Sequence, residues 1–289
     1  MTLSGTHGSF QGWRTRLAVR TRLRRWWRRR DPKRRGLPRL LVNGFPKSGT
    51  HLLRRTIDLL PGMASDNVWL PPRLAVLGGK GAVLAEAERL FKSIQPGEYA
   101  VGHVRYGREM AELLERQGFR AILILRDPRD VAVSWAIHIA ARPEHKYHQH
   151  FTDVLQTDEE RLMASIVGVQ AVGRRPLANI GRRLQNYLPW LHVTYNFTTR
   201  FERLVGPQGG GRAEDQLVEI EGIARHLGMN LSSEQIAGMA SRLFGQGATF
   251  RQGRIGSWKE RFNEEHKAAF KRVAGEQLVE LGYEPDLDW

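Results

Sequence analysis

Leu40-Leu41-Val42-Asn43-Gly44-Phe45-Pro46-Lys47-Ser48-Gly49-Thr50 carries an apolar run into a turn and out again as a helix. The apolar run Leu40–Val42 reads as a short strand, 43–49 as the turn, and Thr50 to about Leu60 as the helix. The first N–H groups of a helix have no intrahelical partner and carry the positive end of the macrodipole, so such a turn is an anion site. Gly49 allows close backbone approach, Lys47 adds a full charge and Thr50 a hydroxyl. The order differs from the GxxxxGK[ST] loop of nucleotide hydrolases, because here Lys precedes Ser-Gly-Thr. Taken alone, the same residues also read as an ordinary strand-to-helix turn with Thr50 as the cap, so the rest of the chain has to decide.

Outward from this turn the chain alternates strands and helices. Ala121–Leu125 (AILIL) is an uninterrupted apolar run, the pattern of a parallel strand covered on both faces. Asp127 and Pro128 then open a helix to about Ala140, with proline in the first turn. Tyr99–Val104 and Leu191–Phe201 read as further strands, and Arg108–Arg116, 213–227, 232–243 and 263–281 as helices. Gly228 stops the second of these helices, and Gly206–Gly211 reads as a flexible loop. The alternation predicts an α/β fold, a parallel sheet flanked by helices.

Charge divides the chain in two. Residues 1–39 hold 13 Lys and Arg against the single acid Asp31, whereas the remainder holds 32 basic and 29 acidic residues. A basic arm over 1–36 and a near-neutral body over 37–289 follow. The net charge of +15 is therefore not a nucleic-acid signature of the body. In the arm, Val19, Leu23, Trp26 and Trp27 share one helical face among arginines. Such a helix suits an anionic membrane surface or a polyanion, and equally a solvated arm that packs its tryptophans on the body. An absence of cysteine excludes disulfides and thiolate metal sites. No apolar run reaches the roughly 18–20 residues of a membrane span, and the arginines precede no hydrophobic stretch, so a secretory signal is not expected. A transit peptide fits the tryptophans poorly. A cytoplasmic location is expected, with peripheral attachment at a membrane through the arm.

Two more basic segments complete the pattern. Arg126-Asp127-Pro128-Arg129-Asp130-Val131-Ala132-Val133-Ser134 follows AILIL, where the carboxyl ends of parallel strands bind ligands. Phe250-Arg251-Gln252-Gly253-Arg254-Ile255-Gly256-Ser257-Trp258-Lys259 sets two arginines among glycines able to wrap a phosphate. Three anion patches in a near-neutral body point to a ligand phosphorylated at more than one position.

In this order the three segments resemble the sulfotransferase family that uses 3'-phosphoadenosine 5'-phosphosulfate, over about residues 38–262. The resemblance implies a parallel α/β sheet related to nucleotide kinases. It casts PKSGT as the 5'-phosphosulfate loop, RDPRDVAVS as the 3'-phosphate motif and FRQGRIGSWKERF as the C-terminal nucleotide motif. Donor contacts then fall to Pro46, Lys47, Ser48, Gly49, Thr50, His51, Arg126, Ser134, Arg251, Gln252 and Gly253. Catalysis falls to His103 as general base, Lys47 as charge stabiliser and Ser134, with Arg126, as holder of the 3'-phosphate. The chain departs from the family at Val101-Gly102 where Lys-Thr is common, and at His51-Leu52 in place of Thr-Trp, which moves adenine stacking elsewhere. Further departures are Gln252 within the RKG triplet and Phe201, with Tyr195 nearby, at the tyrosine of the late strand.

No metal is implied. His145, His148 and His150 lack a fixed carboxylate partner and read better as part of a substrate-covering loop than as a metal site. Residues 62–98, 136–160 and 229–249 are expected to shape the acceptor pocket, with Trp69, Pro71-Pro72 and Trp135 as apolar or sugar-stacking surface. The acceptor is a hydroxyl on a glycan, a lipid-linked molecule or a small alcohol or phenol. The alternatives are a P-loop kinase-like phosphotransferase, against which the missing GxxxxGK[ST] argues, and a non-enzymatic polyanion-binding protein, which leaves His103 unexplained.

Overall fold

The computed structural model describes residues 34, 36–64, 68–71, 74, 81–170, 176–244 and 254–289. Four strands form its sheet: β1 Arg39–Gly44, β2 Tyr99–Gly102, β3 Phe119–Leu125 and β4 Asn196–Arg200. They lie in the order β2-β1-β3-β4, all parallel, with Val42 opposite Val101 on one side and Ile122 on the other. Successive strand residues point to opposite faces. Leu40, Val42, Ile122 and Ile124 accordingly enter one core, while Leu41, Ala121, Leu123 and Leu125 enter the other. Both faces are covered, which is why these strands are apolar throughout rather than alternating.

One face carries α1 (Thr50–Leu59), α7 (Phe201–Leu204), α8 (Ala213–His226) and α9 (Ser233–Ala240). The other carries α2 (Ala82–Ser93), α3 (Arg108–Arg116), α4 (Pro128–Ala140), α5 (Asp158–Val167), α6 (Ile180–Gln185) and α10 (Glu264–Glu280). Helices α2, α5, α6 and the single-turn α7 escape the reading of the sequence, although Thr157 and Glu160 form the capping box of α5.

Three local expectations need correcting. The run 191–201 is a strand only from Asn196, because Leu188–His192 is a 3₁₀ turn. Pro189 offers no ladder donor there, and Trp190 turns inward to donate Nε1–H to the Val104 carbonyl at 2.9 Å. Strand β2 stops at Gly102, short of Val104, because the Asn43 side chain takes both polar groups of Val104. The loop 206–211 is a built turn rather than a loose one. Gly209 and Gly211 donate to the Gly206 carbonyl, and Ile255 donates to the Gly209 carbonyl at 3.0 Å. The stretch 145–150 is a turn that passes into a single π-helical turn over His150–Val154.

Among the described residues no helix is long and apolar enough to cross a membrane. The expected arm helix, with Val19, Leu23, Trp26 and Trp27, lies outside the described residues.

Candidate active site

The carboxyl ends of β1, β2 and β3 converge on the turn 45–49. Phe45 N–H donates to the Ile124 carbonyl and Ser48 N–H to the Phe45 carbonyl, which curls the turn over the strand ends. Lys47 is the only non-glycine with positive φ among the described residues, at 75°. For a lysine this conformation is uncommon and costs on the order of 1–3 kcal/mol, a strain that persists where surrounding structure fixes it and that points to function. Gly49, at φ 96°, caps α1, and a Cβ there would meet the Phe201 ring at 2.7 Å. A Cβ on Gly44 would meet the Thr50 hydroxyl at 2.3 Å. Both glycines are therefore fixed by space. The hydroxyls of Ser48 and Thr50 are buried with no hydrogen-bond partner. Two unpaired buried hydroxyls beside the amino end of a helix form a cradle for an oxyanion.

His103 follows β2 directly and is held from three sides. Its Nδ1 lies 2.8 Å from the Gly44 carbonyl. A carbonyl only accepts, so Nδ1 carries the proton and the free lone pair belongs to Nε2. The His103 carbonyl accepts from the Tyr187 hydroxyl at 2.9 Å. Next to it, buried Asn43 bonds both the N–H and the carbonyl of Val104. Burial holds His103 below the ordinary imidazole value; the bond to Gly44 opposes this and the charge of Lys47 adds to it. Burial also lowers His51, with Arg54, His103 and Lys47 adding to the effect. The Trp69 ring lies near both imidazoles, 5.4 Å from His51 and 6.3 Å from His103.

The second and third anion patches meet through Asp130. This fully buried carboxylate receives Arg126 Nη2 at 3.2 Å, Gly256 N–H at 2.9 Å, Ser257 Oγ at 2.8 Å and Trp258 N–H at 3.0 Å. Arg126 also donates to the Arg254 carbonyl at 2.7 Å and lies 4.4 Å over the Phe201 ring. Its Nε is buried and unpaired. Phe201 thus supports both Gly49 of the first patch and Arg126 of the second. Tyr195, the other aromatic near this strand, donates instead to the Ala111 carbonyl deep in the core. Ser134 follows two turns along α4, half-buried. Arg129 faces away, paired with Asp127 at 2.8 Å and Glu284 and packed against Trp258 and Trp289. Arg251, Gln252 and Gly253 lie outside the described residues.

Asp130 and Asn43 had no assigned role in the sequence reading. For Asp130 a signal existed, since it stands four residues after Arg126, a spacing at which opposite charges at a helix start can meet. Asp130→Ala is expected to cost about 3–5 kcal/mol of stability, the scale of breaking a buried charge pair. Denaturant unfolding measures this, and a loss below about 1 kcal/mol would deny Asp130 its central place.

A family model for the sulfotransferase domain matches residues 37–282. No curated protein matches the chain in sequence. Among solved structures, mouse sulfotransferase SULT7A1 complexed with PAP superposes with a TM-score of 0.60 at 17% identity, over 83% of this chain and 84% of that one. Retinol dehydratase with androsterone and inactive cofactor PAP gives 0.49 at 16%, over 83% and 80%. A sulfotransferase from Alicyclobacillus acidocaldarius gives 0.45 at 14%, over 85% and 96%.

Proposed function

The chain belongs to the sulfotransferase domain family, and on that premise we propose that it moves a sulfuryl group from 3'-phosphoadenosine 5'-phosphosulfate to an acceptor hydroxyl, with His103 as general base. Sulfuryl transfer is the family's chemistry, and the kinase-like and polyanion-binding readings give way to it. The choice of donor is supported by two anion cradles on one strand edge, bridged by Phe201, each with buried donor groups left unpaired: Ser48 and Thr50 in one, Arg126 Nε in the other. It is also supported by the similar mouse sulfotransferase structure, which is complexed with PAP.

Sulfuryl transfer resembles phosphoryl transfer, an in-line displacement governed by positioning and electrostatics. In this reading Nε2 of His103 takes the acceptor's proton as the acceptor oxygen bonds to sulfur. The bond from sulfur to the bridging oxygen breaks, and that oxygen leaves on the 5'-phosphate. Lys47 stabilises the charge gathering there, and the backbone N–H groups at the start of α1, with Ser48 and Thr50, hold the 5' group. Arg126 and Ser134 hold the 3'-phosphate, which separates this donor from ATP. Pro46, His51 and the segment Arg251–Gly253 complete the donor contacts. No step calls for a metal. The acceptor is taken to be a glycan, lipid-linked or small hydroxyl compound, and the basic arm over 1–36 an attachment to anionic surfaces.

Incubation with the sulfated donor and a panel of hydroxyl acceptors, read by mass spectrometry, tests the reaction. Products heavier by one sulfuryl group are expected. Arg126→Ala should weaken adenosine 3',5'-bisphosphate by about 2–4 kcal/mol, as for a lost charge-assisted contact, and leave adenosine 5'-phosphate nearly unchanged. Equal losses for both nucleotides would remove the 3'-specific role.

A further inference from the structure

Near the proposed base stands a half-buried arginine that has no carboxylate partner among the described residues. Arg183 on α6 donates Nη2–H to the Ser165 carbonyl at 2.7 Å, and its Nε is buried without a partner. Burial lowers its pKa to about 10, and the titratable groups beside it are the Tyr147 and Tyr187 hydroxyls and Arg105 rather than a carboxylate. An N–H shielded from water without an acceptor is costly until something pairs with it. Its guanidinium lies 5.2 Å over the Trp135 ring, and Trp135 Nε1 is likewise buried and unpaired.

This corner adjoins the reacting centre. Trp135 follows Ser134 directly, and its ring lies 5.8 Å from that of His145, which feels the charge of Lys47. Arg105 lies close to Tyr187, whose hydroxyl donates to the His103 carbonyl at 2.9 Å. Its ring meets Phe45 of the phosphosulfate turn edge-on at 5.3 Å. Arg105 and Arg183 thus both lie near Tyr187, the residue that steadies His103, and Trp135 lies under Arg183.

Resting on the sulfotransferase reading above, we propose that the acceptor carries an oxyanion on the same molecule as its hydroxyl, held by Arg183 and Arg105 with Trp135 Nε1–H as a further donor. The basic pair fixes that group while the hydroxyl faces Nε2 of His103. An anionic acceptor supplies the counter-charge that this guanidinium lacks among the described residues, and a neutral analogue does not.

The test uses the full chain and acceptors that differ only in the anion. 4-Hydroxyphenylacetate is compared with 4-hydroxyphenylacetamide, glucuronate with glucuronamide, and the monosulfate and monophosphate of hydroquinone with its monomethyl ether. At least one anionic member should exceed its neutral partner by about tenfold or more in kcat/KM, and Arg183→Met should bring that ratio to within about twofold. Binding of adenosine 3',5'-bisphosphate should be retained in Arg183→Met. Arg105→Gln and Arg183→Lys serve as second variants should Arg183→Met fold poorly, with Arg105→Gln lowering the ratio and Arg183→Lys preserving part of it. A merely structural Arg183 would lower the melting temperature and leave the ratio untouched. Neutral members equal to or better than every anionic one would overturn the proposal, as would a ratio that survives both Arg183→Met and Arg105→Gln. An enzyme that binds adenosine 3',5'-bisphosphate but sulfates no anionic member loses this inference and keeps the donor assignment. Failure to bind that nucleotide would sink the donor assignment itself.

Discussion

His103→Ala is expected to lose turnover by about 10²–10⁴-fold, the usual contribution of a positioned base, with binding of adenosine 3',5'-bisphosphate retained. The expectation rests on geometry. The Gly44 carbonyl fixes the proton on Nδ1, and Asn43, Tyr187 and Trp190 fix the backbone around the ring. Because burial is the main influence and lowers the His103 pKa below 6.5, the imidazole is neutral, and ready as a base, at neutral pH. In wild type, kcat/KM should therefore be level near pH 7 and fall as pH drops through a value below 6.5. The same shift affects stability. The unfolded chain takes up this proton first as pH falls below 6.5, so the histidine weakens the fold progressively on the acid side. Loss should be smaller for an acidic phenol than for an alkyl alcohol, which parts with its proton less readily. A variant with wild-type turnover would move the search to His51 or His138, whereas joint loss of melting temperature and nucleotide binding would mark His103 as structural.

Lys47→Ala should lower turnover about 100-fold or more, as for other lost electrostatic stabilisers, with a smaller effect on donor affinity. Lys47 holds a backbone conformation with φ of 75° that glycine adopts at far less cost, and its charge reaches His51, His103 and His145 alike. Lys47→Gly keeps that conformation without the charge, so it should be as slow as the alanine variant if charge is what matters. Near-normal turnover in either variant would defeat the assignment.

The fold was legible where one signal dominated. AILIL and the run into PKSGT are strands that tolerate only apolar residues because both faces are covered, and Asp127-Pro128 announces the start of α4. Legibility failed where tertiary contacts outweighed local pattern. Trp190 belongs to a 3₁₀ turn because its indole seeks Val104, and β2 ends early because Asn43 claims the same residue. Of the site, the strand-end positions of the first two basic segments were readable from glycine and basic residue order. The union of the second and third was not, since it depends on Asp130 meeting N–H groups 126 to 128 positions later in the chain. Arg183 was invisible for a related reason. Ordinary charge patterning on a short helix does not disclose which guanidinium packs over Trp135.

Calorimetric titration of the full chain with adenosine 3',5'-bisphosphate, adenosine 5'-phosphate and magnesium ATP bears most directly on the claim that this edge of the sheet holds a doubly phosphorylated sulfuryl donor. The account predicts tight binding of the bisphosphate, weaker binding of the 5'-phosphate by about the 2–4 kcal/mol assigned to Arg126, and no preference for ATP. Binding of ATP as tight as that of the bisphosphate, or bisphosphate affinity unchanged in Arg126→Ala, would contradict it.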